Sequence, residues 1–328
     1  MSNKPSSFLV TGGAGFIGGH MAQWIRSQRP NAKVRVIDNL STGRSSVLEI
    51  LRREGGIDIV EGDLLNDADV ERAVDGVEAI IHLAAIPSVP RSVDDPISSD
   101  LANVHATVKL LDAARKAGAR RVVYAASSSA YGNQEAQVKS EDLLPGPLSP
   151  YAVSKLAGEH YLRAFHACYG LETVALRYFN VFGPRQDPNS TYAAVIPKFI
   201  TLMLQGKSPV IYGDGKQSRD FTFVENNCRA NLMACEAPAD SVAGKMVNVA
   251  CGGSITLLDL IDAINENLGT SIEPQFDPPR AGDVMHSLAD ISAAKAAFGY
   301  EPVVSLEDGL KRTIAFYKEE LEAATTAM

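Results

Sequence analysis

The chain has 328 residues, 45% hydrophobic and 21% charged, enough for a large core and for two domains or one large domain with an appendage. Its 31 Lys and Arg stand against 39 Asp and Glu, a net charge of −8 with no basic run, which argues against a nucleic-acid or anionic-membrane binder. The apolar stretch 79–86 falls far short of the ~18–20 residues of a membrane span. Segment 1–7 shows no secretory signal pattern, and the four scattered cysteines match no zinc spacing, so a cytoplasmic protein with reduced thiols and no metal is expected.

The first half alternates β-rich runs with helical patterns, the signature of a parallel sheet covered on both faces. Strands are predicted at 8–11, 34–37, 58–60, 79–83 and 121–124, with helices at 16–26, 67–74 and about 100–117. The pattern is α/β, a Rossmann-type doubly wound parallel sheet. In the second half a helix is predicted at 151–169, after the turn signal Ser149-Pro150, and a strand at 173–178. A Gly/Pro/Asn/Asp-rich connection, 180–189, leads to a helix at 193–205 and short strands at 210–212 and 220–223. Helices are predicted at 257–268, 292–298 and 306–321. This interleaving points to a smaller C-terminal lobe threaded back into the first domain.

Gly12, Gly15 and Gly18 lie directly after the first strand and at the start of the first helix, with Phe16 and Ile17 between the last two. Such spacing lets the backbone approach a pyrophosphate at a helix N-terminus, although a glycine triplet can also be only a tight turn. Asp38, at the end of the second strand, can accept both ribose hydroxyls of an adenosine and would repel a 2′-phosphate. NAD is therefore expected in preference to NADP, with Arg44 nearby as the opposing signal. Asn39, Asp63 and Leu64 complete the predicted adenosine side, and Ala84 and Ala85 offer small residues against the cofactor. These positions also fit ordinary strand ends. The expected division is an NAD-binding domain at 1–178 and a mainly substrate-binding lobe at 179–328.

Tyr151 and Lys155 stand four residues apart on one face of a predicted helix. A free phenol, with a pKa of about 10, is a poor base at neutral pH, and positive charge from Lys155 and an oxidised nicotinamide would lower it. Ser127, first of the run Ser127-Ser128-Ser129 after the fifth strand, would stand at the carboxyl edge of the sheet and relay a proton to Tyr151.

With Thr11 to Gly18, His82-Leu83-Ala84-Ala85, Ser127 to Gly132, Tyr151 to Lys155 and Arg177 to Pro184 in order, the chain resembles the extended short-chain dehydrogenase/reductases of the nucleotide-sugar epimerase family. Within that group it is most similar to the UDP-hexose 4-epimerases. The resemblance implies that Tyr151 takes the sugar O4 proton, directly or through Ser127, while C4 passes a hydride to NAD⁺. The 4-keto sugar turns over and takes the hydride back on its other face. Related 4,6-dehydratases carry an Asp-Glu pair after the catalytic hydroxyl, where this chain has Ser128 and Ser129, so epimerisation is the expected outcome.

By the same resemblance Asn180, Val195, Tyr212, Arg219, Arg280 and Asp283 would bind the UDP, with Ser128 and Ser129 near the sugar. Ser287 stands where hexose-only epimerases carry a bulky tyrosine, which implies room for an N-acetyl group and hence UDP-GlcNAc and UDP-GalNAc as well as UDP-glucose and UDP-galactose. His286 beside it reads as a packing residue. A UDP-glucuronate 4-epimerase would need a cation near the sugar C6, for which Arg91 and Arg185 are the candidates. A non-catalytic NAD-binding regulator on the same fold is the rival from another class. The family habit of pairing two helices, here about 100–117 and 151–169, implies a homodimer.

Overall fold

The computed structural model describes residues 4–189, 194–279 and 285–326. Its strands are β1 (Ser7–Thr11), β2 (Lys33–Asp38), β3 (Ile57–Glu61), β4 (Ala79–His82), β5 (Arg121–Ser127), β6 (Val138–Lys139), β7 (Glu172–Tyr178) and β8 (Val181–Phe182). Then follow β9 (Val210–Tyr212), β10 (Ser218–Arg219), β11 (Thr222–Phe223), β12 (Lys245–Val249), β13 (Ile255–Thr256), β14 (Gln275–Asp277) and β15 (His286–Ala289). The helices are α1 (Phe16–Gln28), α2 (Ser45–Glu54), α3 (Asp67–Val74), α4 (Val89–Asp94), α5 (Pro96–Asp100), α6 (Ala106–Lys116) and α7 (Pro150–Tyr169). The chain continues through α8 (Val195–Leu204), α9 (Val224–Glu236), α10 (Ala239–Val242), α11 (Leu257–Leu268), α12 (Ser292–Phe298) and α13 (Leu306–Thr326). A π-helical turn, Leu101–His105, joins α5 to α6, so the helix expected over 100–117 is broken into pieces.

Seven parallel strands form the main sheet in the order β12-β7-β5-β4-β1-β2-β3. The chain runs outward from β1 through β2 to β3, then crosses to β4. A crevice therefore lies beyond the carboxyl ends of β1 and β4, where open α/β sheets bind ligands. Alternation along β1 covers both faces. Phe8 and Val10 join the core shared with Met21 and Ile25 of α1, while Leu9 joins that of Leu110 and Leu111 of α6 and Leu162 of α7.

The second half returns to this sheet at two places. Strand β12 pairs with β7, from Lys245 opposite Val174 to Val249 opposite Tyr178. Arg121, buried at the start of β5, donates from Nη1 to the carbonyls of Ala234 (2.8 Å), Cys235 (3.1 Å) and Ala237 (2.7 Å) at the end of α9. A guanidinium there satisfies helix-terminal acceptors that have no partner within the helix. A smaller sheet, β13-β10-β15-β6, pairs β10 parallel with β15. Among the described residues no helix is long and apolar enough to cross a membrane, and no group of three or more His, Cys, Asp or Glu is placed to hold a metal.

Candidate active site

The turn out of β1 requires glycine at two points. Gly12 has φ +73°, and a Cβ there would lie 2.9 Å from the Ala84 nitrogen; on Gly18 a Cβ would lie 2.0 Å from the Gly12 carbonyl oxygen. Gly15 is the N-cap of α1 and puts no side chain over its first turn, which Phe16 and Ile17 begin. The bare helix N-terminus thus faces the switch-point crevice, an arrangement that suits a pyrophosphate.

Asp38 closes this cradle at the end of β2. Its Oδ2 accepts the Ala14 N–H (2.9 Å) and its Oδ1 the Leu40 N–H (2.8 Å). Burial raises its pKa, and the two backbone donors oppose that shift. Each oxygen has a further lone pair directed elsewhere, the requirement for holding two ribose hydroxyls. Asn39 Nδ2 donates to Asp63 Oδ2 (3.1 Å), and Leu64 beside it is buried, so the predicted adenosine-side residues are brought together. Arg44 is engaged elsewhere: its Nη2 donates to the Arg185 carbonyl.

His82, at the end of β4, fixes the crevice from below. Thr107 gives its one proton to the Asn103 carbonyl (2.6 Å), so His82 Nε2–H must donate to Thr107 Oγ1 (2.9 Å). The other ring nitrogen, Nδ1, then accepts the Thr11 hydroxyl proton (2.7 Å). Thr11 Oγ1 in turn accepts the N–H groups of Leu83 and Ala84 (both 3.1 Å), which holds half-buried Ala84 and Ala85 against the Gly12 turn. Burial, followed by the charge of Lys155, lowers the His82 pKa to about 3, so the ring is neutral at physiological pH.

Ser127 ends β5, and Ser128 and Ser129 open the 3-10 turn Ser128–Tyr131 that follows. Ser127 Oγ accepts from Ser129 N (3.2 Å) and Ser129 Oγ (2.9 Å), which leaves its own proton to point away from the turn. It is within hydrogen-bonding reach of the Tyr151 phenol. Ser149 caps α7 by accepting the Ala152 N–H (3.2 Å), Pro150 sits in the first turn, and Ser92 Oγ accepts the Tyr151 N–H (3.0 Å). Lys155, one turn on and buried, donates from Nζ to the Ala125 carbonyl (2.9 Å) and lies 4.8 Å from the centre of the Tyr124 ring. The structure therefore brings Ser127, Tyr151 and Lys155 to one edge of the sheet.

The electrostatics differ from the sequence expectation. Burial pushes the Tyr151 phenol above its ordinary range, with the Ser127 hydrogen bond opposing, and burial lowers Lys155 to about 7 against the pull of Glu159. The polypeptide by itself does not make a tyrosinate; desolvation outweighs the neighbouring ammonium. Two supporting contacts were not read from the sequence. Asn103, in the π turn, donates to Ser154 Oγ (3.0 Å) and accepts the Ile86 N–H (2.8 Å), joining the segment after β4 to α7. Glu159 grips Arg177 with two bonds of 2.8 Å. Neither carried a sequence signal: Asn103 falls inside the helix expected over 100–117, and the Glu159–Arg177 pair joins a helix to a strand that only the fold brings together.

Among the residues expected to meet the substrate, Asn180 (φ +34°) donates from Nδ2 to the Asp220 carbonyl (3.0 Å). Arg219 of β10 lies opposite Ser287 of β15, and the Asp220 N–H donates to the Ser287 carbonyl (2.7 Å). The Tyr212 carbonyl accepts Gln217 Nε2 (2.8 Å). Asn180, Tyr212, Arg219 and Ser287 are thus gathered around β10, while Val195 opens α8 and packs on the main core. His286 is hydrogen-bonded through Nδ1 to Ser218 Oγ (3.0 Å). Arg280 and Asp283 lie outside the described residues.

A family model described as the NAD dependent epimerase/dehydratase family matches residues 8–250. The chain belongs to that family. The UDP-glucose 4-epimerase of Mycolicibacterium smegmatis is 38% identical over 315 residues, covering 95% of this chain and 98% of the relative. A UDP-N-acetylglucosamine 4-epimerase from Methanobrevibacter ruminantium M1, solved in complex with UDP-N-acetylmuramic acid, superposes with a TM-score of 0.90 at 41% identity and covers 97% and 99% of the two chains. A UDP-glucuronic acid 4-epimerase from Bacillus cereus, solved with UDP-glucuronic acid and NAD, gives a TM-score of 0.88 at 33% identity, with 96% and 99% covered.

This epimerase-family chain is an isomerase that depends on NAD. Its residues fit the cofactor on structural grounds: the cradle that a Cβ would fill at Gly12 and Gly18, the uncapped α1 terminus, and the carboxylate of Asp38 beyond it.

Proposed function

We propose that this protein is a UDP-sugar 4-epimerase that interconverts UDP-GlcNAc and UDP-GalNAc, and also UDP-glucose and UDP-galactose. The observation that carries the substrate reading is the pairing of Arg219 with Ser287, which puts a one-carbon side chain beside the arginine assigned to the diphosphate. A hydroxymethyl there leaves space for an N-acetyl group that a tyrosine would fill.

Bound NAD supplies a hydride acceptor at C4 that returns the hydride to the same carbon, and a positive charge beside the phenol. Tyr151 takes the O4 proton, with Ser127 relaying it, because the Ser127 proton is left to point away from its own turn. Lys155, held by the Ala125 carbonyl, fixes the polar edge of the pocket. Loss of the O4 proton and the C4 hydride leaves a 4-ketone. After the sugar turns over, Tyr151 returns the proton and C4 regains hydride with inverted configuration, so no net redox change occurs. Ser128 and Ser129 bring no carboxylate, so water elimination lacks its acid and base.

Glucuronate is the weaker reading. Arg91 is exposed on α4, and the Arg185 guanidinium is engaged by His20 and Gln23. The non-catalytic alternative loses ground because Ser127, Tyr151 and Lys155 are all present and adjacent. A homodimer fits the apolar strip of Val93 (61% exposed), Ile97 (73%) and Leu101 (43%) beside Val153 (53%) and Tyr161 (40%) of α7.

The test is to incubate the protein separately with UDP-GlcNAc and UDP-glucose, without added oxidant or reductant, and resolve the product epimers by NMR. UDP-GalNAc should accumulate toward equilibrium, and Ser287→Tyr should abolish that conversion while sparing UDP-glucose. Equal loss on both sugars would remove the gate argument.

A further inference from the structure

We propose that Arg185 is a positioning residue that fixes the substrate-side segment 180–186 to the cofactor helix α1. Its Nη2 donates to His20 Nδ1 (2.8 Å) and to Gln23 Oε1 (2.6 Å), both on α1. His20 replies through Nε2–H to the Pro184 carbonyl (2.9 Å), and Gln23 Nε2 donates to Glu54 Oε1 (2.5 Å), so every group in the chain has a defined donor and acceptor role. The Arg185 carbonyl accepts from Arg44, which follows the Asp38 loop, and the Gln186 carbonyl accepts from Tyr317 of α13.

Five hydrogen bonds on three consecutive residues are more than a surface connection needs. The segment they hold is bracketed by two non-glycine residues in the left-handed region, Asn180 (φ +34°) and Arg185 (φ +67°). Such backbone persists where its surroundings over-determine it. Asn180, at one end, faces the strand that carries Arg219; Arg185, at the other, is bound to the helix whose N-terminus forms the cofactor cradle. The strap therefore sets the spacing between the sugar-nucleotide site, to which Asn180 belongs, and the cofactor cradle.

The experiment uses NAD and UDP as probes on the full chain, by calorimetry, with Arg185→Asn and Gln23→Leu. Asparagine tolerates the left-handed backbone and is too short to reach His20 or Gln23; Gln23→Leu removes an acceptor from the other end without altering the loop. Both variants should raise the UDP Kd of the NAD-loaded protein about five- to tenfold, the scale of a site-to-site coupling. NAD affinity and kcat should stay within about twofold while KM rises with the UDP Kd. Unchanged UDP affinity in both variants would overturn the strap. Equal loss of NAD and UDP affinity would overturn it as well, because that pattern marks local unfolding. The inference rests on the UDP-sugar reading: a native protein that binds NAD but no UDP would sink both, whereas native UDP binding left intact in the variants removes only the strap.

Discussion

A proton at Ser127 has two neighbours that could use it and a geometry that chooses. Ser129 already donates to Ser127 Oγ through N and Oγ, so the serine proton is available to the phenol side. Tyr151→Phe should therefore lower turnover by at least about 100-fold while NAD stays bound, the size expected for loss of a positioned general base; full activity with bound NAD would refute the assignment. A second residue-scale prediction concerns Asp220, which is fully buried. Its Oδ1 accepts Cys251 N–H (3.0 Å), and its Oδ2 accepts Gly252 N–H (3.0 Å) and Ala289 N–H (3.3 Å). Asp220→Asn must turn an NH₂ toward one set of these donors, at a cost of about 1–3 kcal/mol. Denaturant titration would show it, and an unchanged midpoint would contradict it. Ser127, Tyr151 and Lys155, the proposed catalytic trio, were legible because each belongs to a spaced motif. His82 lay inside a quoted motif, yet its role depends on Thr11 and Thr107, which only the fold brings to its two nitrogens.

Among the elements, legibility followed amphipathicity. The expected bounds of α3, α11 and α12 match those found; α3 and α11 each show one apolar face and a polar remainder, and α12 is an alanine-rich run ended by Gly299. Helix α9 went unread because it is buried almost all round and rich in asparagine, a poor helix former. Tertiary bonds support it instead: Asn226 Nδ2 donates to the Val304 carbonyl (2.8 Å), and its Oδ1 accepts the Val303 (2.9 Å) and Val304 (3.0 Å) N–H groups. Strand β12 was missed because five residues with Lys and Asn among them carry little pattern; its place follows from an open edge beside β7. Arg121 joins these elements by capping α9 and pairing with Glu172 at 2.5 Å. Arg121→Met would strand the α9 carbonyls and the carboxylate. A loss of about 3 kcal/mol is expected, at the low end for a broken buried pair because Glu172 keeps some solvent. Equal unfolding midpoints for variant and native protein would show that α9 is held by its apolar face.

For the whole molecule, stability should fall on mild acidification. Burial lowers His20 to about 4 and His82 to about 3, from an ordinary value of 6.5. Between those values the unfolded chain binds the protons that the fold refuses, so stability that is complete above 6.5 is lost as pH falls. Asp220 acts in the opposite direction: burial raises it to about 6 from 3.8, so the fold gains stability as pH falls through that window. Two histidines against one carboxyl leave a net loss approaching one proton, or ~1.4 kcal/mol per pH unit. Urea midpoints at pH 7 and pH 5 would check this; a midpoint that holds or rises at pH 5 would contradict it. At the same scale, the doubly wound parallel sheet was legible from alternating strands and helices, whereas its strand order and the gathering of Asn180, Tyr212, Arg219 and Ser287 around β10 were not, the latter depending on short strands with no local signature.

The central claim is that one hydride leaves the sugar C4 and returns to it within a single site. UDP-GlcNAc carrying deuterium at C4, turned over in ordinary water without added oxidant or reductant, tests it most directly. The expected product is UDP-GalNAc that retains the deuterium at C4 with inverted configuration. Product that has exchanged this deuterium for solvent hydrogen would contradict it.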